Sequence, residues 1–201
     1  MTIRQHQNIH CIVTEYNNLI AKSCLIHHPE TADTAIKALY IGVKALYQHG
    51  DLTLRYELMG ELDNLLIPTN QLPLETNALW QHTCFEAFIA VEEEDAYHEF
   101  NFSPSGEWAA YAFDDYRIPK AWRAQTAPAI HIARFDGQLV LTTVIANANL
   151  PFNPLNKSYR LGLSCVLETN QGDLSYWALC HPSGKPDFHH RSGFTLSFNL
   201  P

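Results

Sequence analysis

Glu86, Glu99, Asn101 and Trp108, with Trp80 just upstream, are the residues of this sequence whose types and spacing could do chemistry together. A sugar presents hydroxyls that need donors and acceptors, and apolar C–H faces that lie on aromatic rings. Its site therefore needs carboxylates or amides beside exposed indoles. The stretch from Trp80 to Tyr116 supplies both. Paired carboxylates about 5 to 9 Å apart also hydrolyse glycosides, so Glu86 and Glu99 carry a catalytic alternative. Neither has a sequence neighbour that raises its pKa, which favours binding over catalysis. The competing structural reading has Trp108 and Phe88 covering this face beneath a long loop, with Glu86 hydrogen-bonded into it.

These residues can meet only if the segments that carry them are strands in one register. Phe85, Ala87, Ile89 and Val91 alternate with Glu86, Phe88 and Ala90, and Ala96–Phe102 follows an acidic loop. Setting Val91 against Ala96 places Phe85 opposite Phe102 and Glu86 opposite Asn101. The other parity would mix Phe with Glu on both faces. Ser103-Pro104-Ser105-Gly106 reads as a turn. Pairing Phe102 with Glu107 across it puts Trp108 beside Asn101 on the polar face and Ala109, Tyr111 and Phe113 in the core.

Elsewhere the chain repeats this grammar. Tyr47 is expected opposite Leu52 across Gln48–Asp51, and the helical alternative for 35–47 yields to that hairpin. Gly60–Leu79 is a long connection of the kind that is more often functional than idle. Asp136-Gly137 closes a third hairpin. In a fourth, Leu163, Cys165 and Leu167 are expected to face Ala178, Tyr176 and Leu174, which sends Trp177 to the polar face and sets His181 opposite Arg160. Phe194–Leu200 is a last strand. Many short strands joined by Gly, Pro and Asn turns predict an all-β fold, a jelly-roll-like sandwich of antiparallel strands, over residues 24–201. Residues 1–23 read as an N-terminal extension packed on it.

The net charge is −8 with no Lys/Arg cluster, which disfavours a nucleic-acid partner. No apolar run is long enough to cross a bilayer and no basic-then-apolar leader begins the chain, so a soluble, cytoplasmic protein without a membrane partner is expected. The five Cys lack CxxC pairing and are expected to be mostly buried free thiols. His181, His189 and His190 lack metal-ligand spacing and read as loop histidines making hydrogen bonds. No resident cofactor is expected from these residues. Met59 with His181 would be a haem-ligating pair without a motif. Nucleophile-elbow, P-loop and dinucleotide signatures are missing from the sequence.

Four motifs, LWQHTCFEAFI (79–89), YHEFNFSPSGEWAAYAFDDYR (97–117), WALCHPSGKPDFHHRSGF (177–194) and the weaker LTLRYELMG (52–60), resemble DOMON-like domain proteins of an intracellular bacterial subgroup. That group is related to the family 9 carbohydrate-binding modules. The resemblance implies a jelly-roll sandwich that binds a ligand. In the modules a sugar end lies between two Trp, with a Glu following the first on the next strand; Trp80 and Glu86 match that spacing and Trp177 is the implied second wall. Calcium ligands of the modules find no clear counterpart here. Haem-binding DOMON relatives, which use Met and His, make haem the alternative ligand. The expected site is Trp80, Trp108 and Trp177 as stacking surfaces, Glu86, Glu99 and Asn101 as hydroxyl partners, and Arg117 and His181 at the rim of a site for a small polar ligand, a sugar.

Overall fold

Alternating apolar and polar residues write nearly every element of the fold. The computed structural model describes residues 19–31, 34–69 and 72–200. Its strands are β1 (Leu19–His27), β2 (Tyr40–Gln48), β3 (Asp51–Met59), β4 (Cys84–Val91), β5 (Tyr97–Phe102), β6 (Trp108–Asp115), β7 (Ile118–Lys120), β8 (Ala129–Phe135), β9 (Gln138–Ala146), β10 (Tyr159–Glu168), β11 (Leu174–Ala178) and β12 (Leu196–Phe198). The helical option for 35–47 survives as one turn, Thr34–Lys37. The strands are ordered β7-β6-β5-β4-β10-β11-β1-β2-β3-β9-β8, with β12 also on β10, and their pairings are antiparallel.

β1 joins the two layers of this sandwich. It pairs with β2 over Leu19–Leu25 and with β11 at Ile26 and His27. The strand thus runs across the expected boundary at 23/24, while residues 1–18 lie outside the described residues. Leu52, Leu54, Tyr56 and Leu58 of β3 are fully buried in a cluster that also holds Phe85, Ile89, Phe100, Leu163 and Leu167 from the opposite layer. Among the described cysteines, Cys84 and Cys165 are buried, as expected; Cys180 is half-buried and Cys24 exposed.

Tyr56 links core to site: its ring packs against Phe85 and its buried hydroxyl donates to the Glu86 carbonyl at 2.8 Å. Tyr56→Phe is expected to cost about 1 kcal/mol, the net worth of a buried hydrogen bond, read as a lower urea midpoint at unchanged m-value. An unchanged midpoint would show that this bond holds nothing.

Hairpins with two-residue turns keep the expected registers. His49-Gly50, both at positive φ, sets Tyr47 opposite Leu52, and Asp136-Gly137 sets Phe135 opposite Gln138. β4 and β5 also pair as expected, with Phe85 opposite Phe102 and Glu86 opposite Asn101.

Two other hairpins slip by one residue from the expectation, for one reason. Phe102 faces Trp108, not Glu107, and Glu99 faces Tyr111. The turn has three residues, Pro104-Ser105-Gly106, inside a Ser103–Glu107 pair: Ser103 N donates to Glu107 O at 2.9 Å and Gly106 N to Ser103 O at 3.0 Å, with Gly106 at φ 97°. β10 and β11 turn in the same way through Asn170-Gln171-Gly172, with Thr169 N donating to Asp173 O at 2.9 Å and Gly172 at φ 84°. The Ser103 and Thr169 hydroxyls brace the turns by accepting from Ser105 N and Gln171 N. A third turn residue in the left-handed region adds one position to the loop and exchanges the faces of the following strand.

The correction moves both strand tryptophans. Trp108 lies on the Phe100–Phe102 side of its layer, and Trp177 lies opposite Cys165 in the core at 2% exposure. Tyr111 and Phe113 take the polar-face positions expected for Trp108.

Candidate functional site

The outer face of the layer containing β4, β5, β6, β10 and β11 carries a cleft of about 730 Å³. Its floor alternates residue by residue with the core: Glu86 sits between Phe85 and Ala87, and Glu99 next to Phe100. Tyr111 and Phe113 of β6, Val166 of β10 and Tyr176 of β11 extend the floor. The 60–83 connection contributes one wall through Asn77 and Trp80; Trp80 is 49% exposed on a short 3-10 helix, Leu79–Gln81. This connection flanks the face and leaves it open. The opposite wall comes from the chain after β11, through Lys185, Pro186, Phe188 and His189, and Arg117 closes the end at the β6–β7 turn.

The second wall is pinned by Asp187. Its carboxylate accepts from Arg117 Nη2 (2.9 Å), the Tyr116 hydroxyl (2.8 Å) and His189 N (3.2 Å). Against the effect of burial, bonds from Tyr116 and Arg117 hold Asp187 below its ordinary carboxyl value. Arg117, at φ 54°, also donates its backbone N–H to the Tyr97 hydroxyl at 3.1 Å. That hydroxyl lies 2.7 Å from His189 Nδ1, so the arrangement is satisfied when Tyr97 donates to a neutral imidazole. His189 stands among Phe88, Tyr97 and Phe113, and burial, then the Arg117 charge, pushes its pKa to about 4. It is therefore uncharged at neutral pH, and its 3.7 Å approach from Nε2 to Glu99 Oε2 is no ion pair.

The carboxyls at the base are strongly perturbed. Glu86 and Glu99 are 3% and 5% exposed. Burial raises Glu99 to about 7 against the opposing Asn101 bond and Arg117 charge. Burial, then the Glu99 charge, raises Glu86 well above the ordinary carboxyl range. Asn101 Nδ2 donates to Glu99 Oε1 at 2.8 Å. Glu86 Oε1, Asn101 Oδ1 and Ser164 Oγ are buried without a hydrogen-bond partner, and Glu86 is paired with Asn101 on one side and Ser164 on the other. Buried polar atoms are normally satisfied, so a cluster left open beside a cleft points to a missing polar partner.

Of the residues expected at the site, Trp80, Glu86, Glu99 and Arg117 line the cleft. Asn101 is fully buried beneath it, holding Glu99. Trp108 and Trp177 do not line it, because of the two register slips. His181 lies outside the lining, with Nε2 donating to Ile26 O at 2.9 Å. The sequence reading missed Tyr111, Phe113, Tyr176, Lys185, Phe188 and His189. For Tyr111 and Phe113 the signal was present, in the glycine that ends the turn before β6. A second hollow of about 800 Å³, lined among others by His98, Trp122 and Phe152, holds no buried carboxyl; its Glu94 is exposed. Among the described residues no group of three or more His, Cys, Asp or Glu is placed to hold a metal ion.

This cleft sits on a known sandwich. A candidate carbohydrate-binding protein from Bacteroides uniformis superposes with a TM-score of 0.63 at 14% identity, over 90% of this chain and 86% of that one. A family 9 carbohydrate-binding module from Caldicellulosiruptor kristjanssonii, solved with glucose, superposes with a TM-score of 0.51 at 10% identity, over 83% of this chain and 75% of that one. The chain shares their fold. At these identities the likeness is one of architecture. No protein-family model matches the sequence, and no curated protein matches it.

Proposed function

We propose that this chain is a non-catalytic carbohydrate-binding protein whose ligand lies in the cleft between Trp80 and the His189 wall. The observation that carries this reading is the buried, unpartnered Glu86 Oε1 at the floor of an aromatic-lined cleft, with the unpartnered Asn101 Oδ1 and Ser164 Oγ on the strands either side of it. Sugar hydroxyls would satisfy the carboxyls, and C–H faces would lie on Trp80, Tyr111 or Phe113. Arg117 and Lys185 add donors at the rim. The cleft volume is in the range of small-molecule sites. The shared fold with a module solved with glucose supports the same ligand class. The motifs that resemble intracellular DOMON-like proteins, together with the exposed free thiol of Cys24, suit a reducing, cytoplasmic setting.

Titration with glucose and a panel of oligosaccharides, followed by Trp fluorescence and calorimetry, tests the proposal. A saturable signal is expected, with affinity reduced about tenfold or more in Trp80→Ala and Glu99→Ala, equivalent to about 1.4 kcal/mol. Silence across the whole panel would remove the carbohydrate reading. Product release from chromogenic glycosides would reassign the two glutamates to hydrolysis.

A further inference from the structure

We propose that Glu86 and Glu99 hold one proton between them in the resting cleft, Glu86 as the protonated acid and Glu99 as the carboxylate. The floor would then offer a ligand one hydrogen-bond donor and one acceptor side by side. The assignment deepens the carbohydrate reading by naming the complementary ligand pattern, an acceptor beside a hydroxyl donor. The proton assignment itself stands without any ligand.

Geometry carries the argument. Glu86 is paired with Asn101, and Glu99 with Phe88, so the two glutamates are diagonal neighbours on one face of adjacent strands. Such neighbours have Cβ atoms within about 7 to 8 Å, and two glutamate side chains that line one cleft can bring their carboxyls closer still. Both are almost wholly removed from water. Two full charges at that separation, without solvent to screen them, strongly disfavour each other.

The neighbours supply too little positive charge to hold two anions. From the β6–β7 turn, Arg117 faces the pair but is bonded to Asp187. Lys185 stands at the exposed rim. His189, on the following wall, spends Nδ1 on Tyr97 and is neutral at ordinary pH. The other titratable groups that act on the pair or share its cleft are Cys84 on β4, Cys165 on β10, Tyr97 on β5, Tyr111 on β6, Tyr176 on β11 and, through the core, Tyr56 on β3. None of these is a cation.

Asn101 breaks the symmetry between the two acids. It gives an amide N–H to Glu99, which favours charge there, and is left with an unpartnered carbonyl oxygen. Opposite it, Glu86 meets an acceptor and no donor from that side chain, a setting that suits O–H and not O⁻. Burial raises both acids.

Carboxyl carbon NMR titration of the full chain, labelled at glutamate and free of ligand, tests this assignment. One carboxyl is expected to remain protonated at neutral pH while a second titrates near 7. In Glu86→Gln the resistant carboxyl disappears, while the Glu99 transition, which already faces a neutral neighbour, stays near 7. In Glu99→Gln the Glu86 transition moves to lower pH because the opposing Glu99 charge is gone, which gives an independent variant if the first folds poorly. Two carboxyls that both titrate between about pH 4 and 5, a resistant carboxyl that persists in Glu86→Gln, or a Glu86 transition unmoved in Glu99→Gln, would overturn the shared proton. A sugar panel that stays silent while the titration behaves as expected removes the carbohydrate reading alone.

Discussion

Trp177→Ala is expected to lower the unfolding free energy by about 3 to 5 kcal/mol, the range for truncating a buried aromatic. Trp80→Ala is expected to change it by no more than about 0.5 kcal/mol, as for an exposed position. The contrast follows from placement. Trp177 is 2% exposed, packs edge-on against His27 at 5.6 Å, and donates its indole N–H to Ser175 Oγ at 3.2 Å. Trp80 is 49% exposed on the cleft wall. Urea unfolding of the two variants checks the pair. A small loss for Trp177→Ala would mean that the indole stands outside the core and that the β10–β11 register is not the one described.

Stability is expected to fall between pH 6.5 and 8, and Tm with it. Glu86 and Glu99 have folded values above the 4.5 of the free side chain, so the native state keeps protons that the unfolded chain releases. Their contribution is full below about pH 4.5 and is lost as pH rises through the folded values. His98, His181 and His189 have folded values below 6.5, chiefly through burial, and work in the opposite sense. They stabilise above 6.5 and lose that contribution as the medium is acidified. From about pH 4.5 to 6.5 the two sets oppose each other. Above 6.5 that opposition fades as the unfolded histidines lose their remaining protons, and the raised glutamates then dominate the slope. Asp187 and Glu57, both held below their ordinary values, act at lower pH. Thermal melts across this window test the balance, and Glu86→Gln should flatten the alkaline slope. A wild-type Tm that rises from pH 6.5 to 8 would contradict the burial of two raised carboxyls.

The layer architecture and the union of Glu86, Glu99 and Asn101 on one face were legible because alternation with Phe85, Ala87, Phe100 and Phe102 permits only one parity. The placement of Trp108 and Trp177 was not. Apolar alternation after each turn is nearly as good in either parity, since Ala109, Tyr111 and Phe113 look as fit for a core as Trp108 does. What decides is whether the glycine closing the turn lies inside a three-residue loop. The Ser103 and Thr169 hydroxyl contacts that stabilise that loop are visible only in three dimensions. The second wall was illegible for a different reason. Lys185, Phe188 and His189 belong to a connection without periodicity, and they line the cleft because Asp187 ties that connection to Arg117 and Tyr116 and His189 is bonded to Tyr97.

β1 also bears on the order in which the chain can assemble. As the polypeptide emerges, β1, β2 and β3 can zip together at once, because their partners are close in sequence. The last two residues of β1 must wait for Trp177 and Ala178, roughly 150 positions later. Until then Ile26 and His27 remain an open sheet edge, of the kind that can recruit a foreign strand. One strand therefore belongs to the earliest pairing and to one of the last, and the edge it exposes during synthesis closes only when the cleft's own β11 arrives.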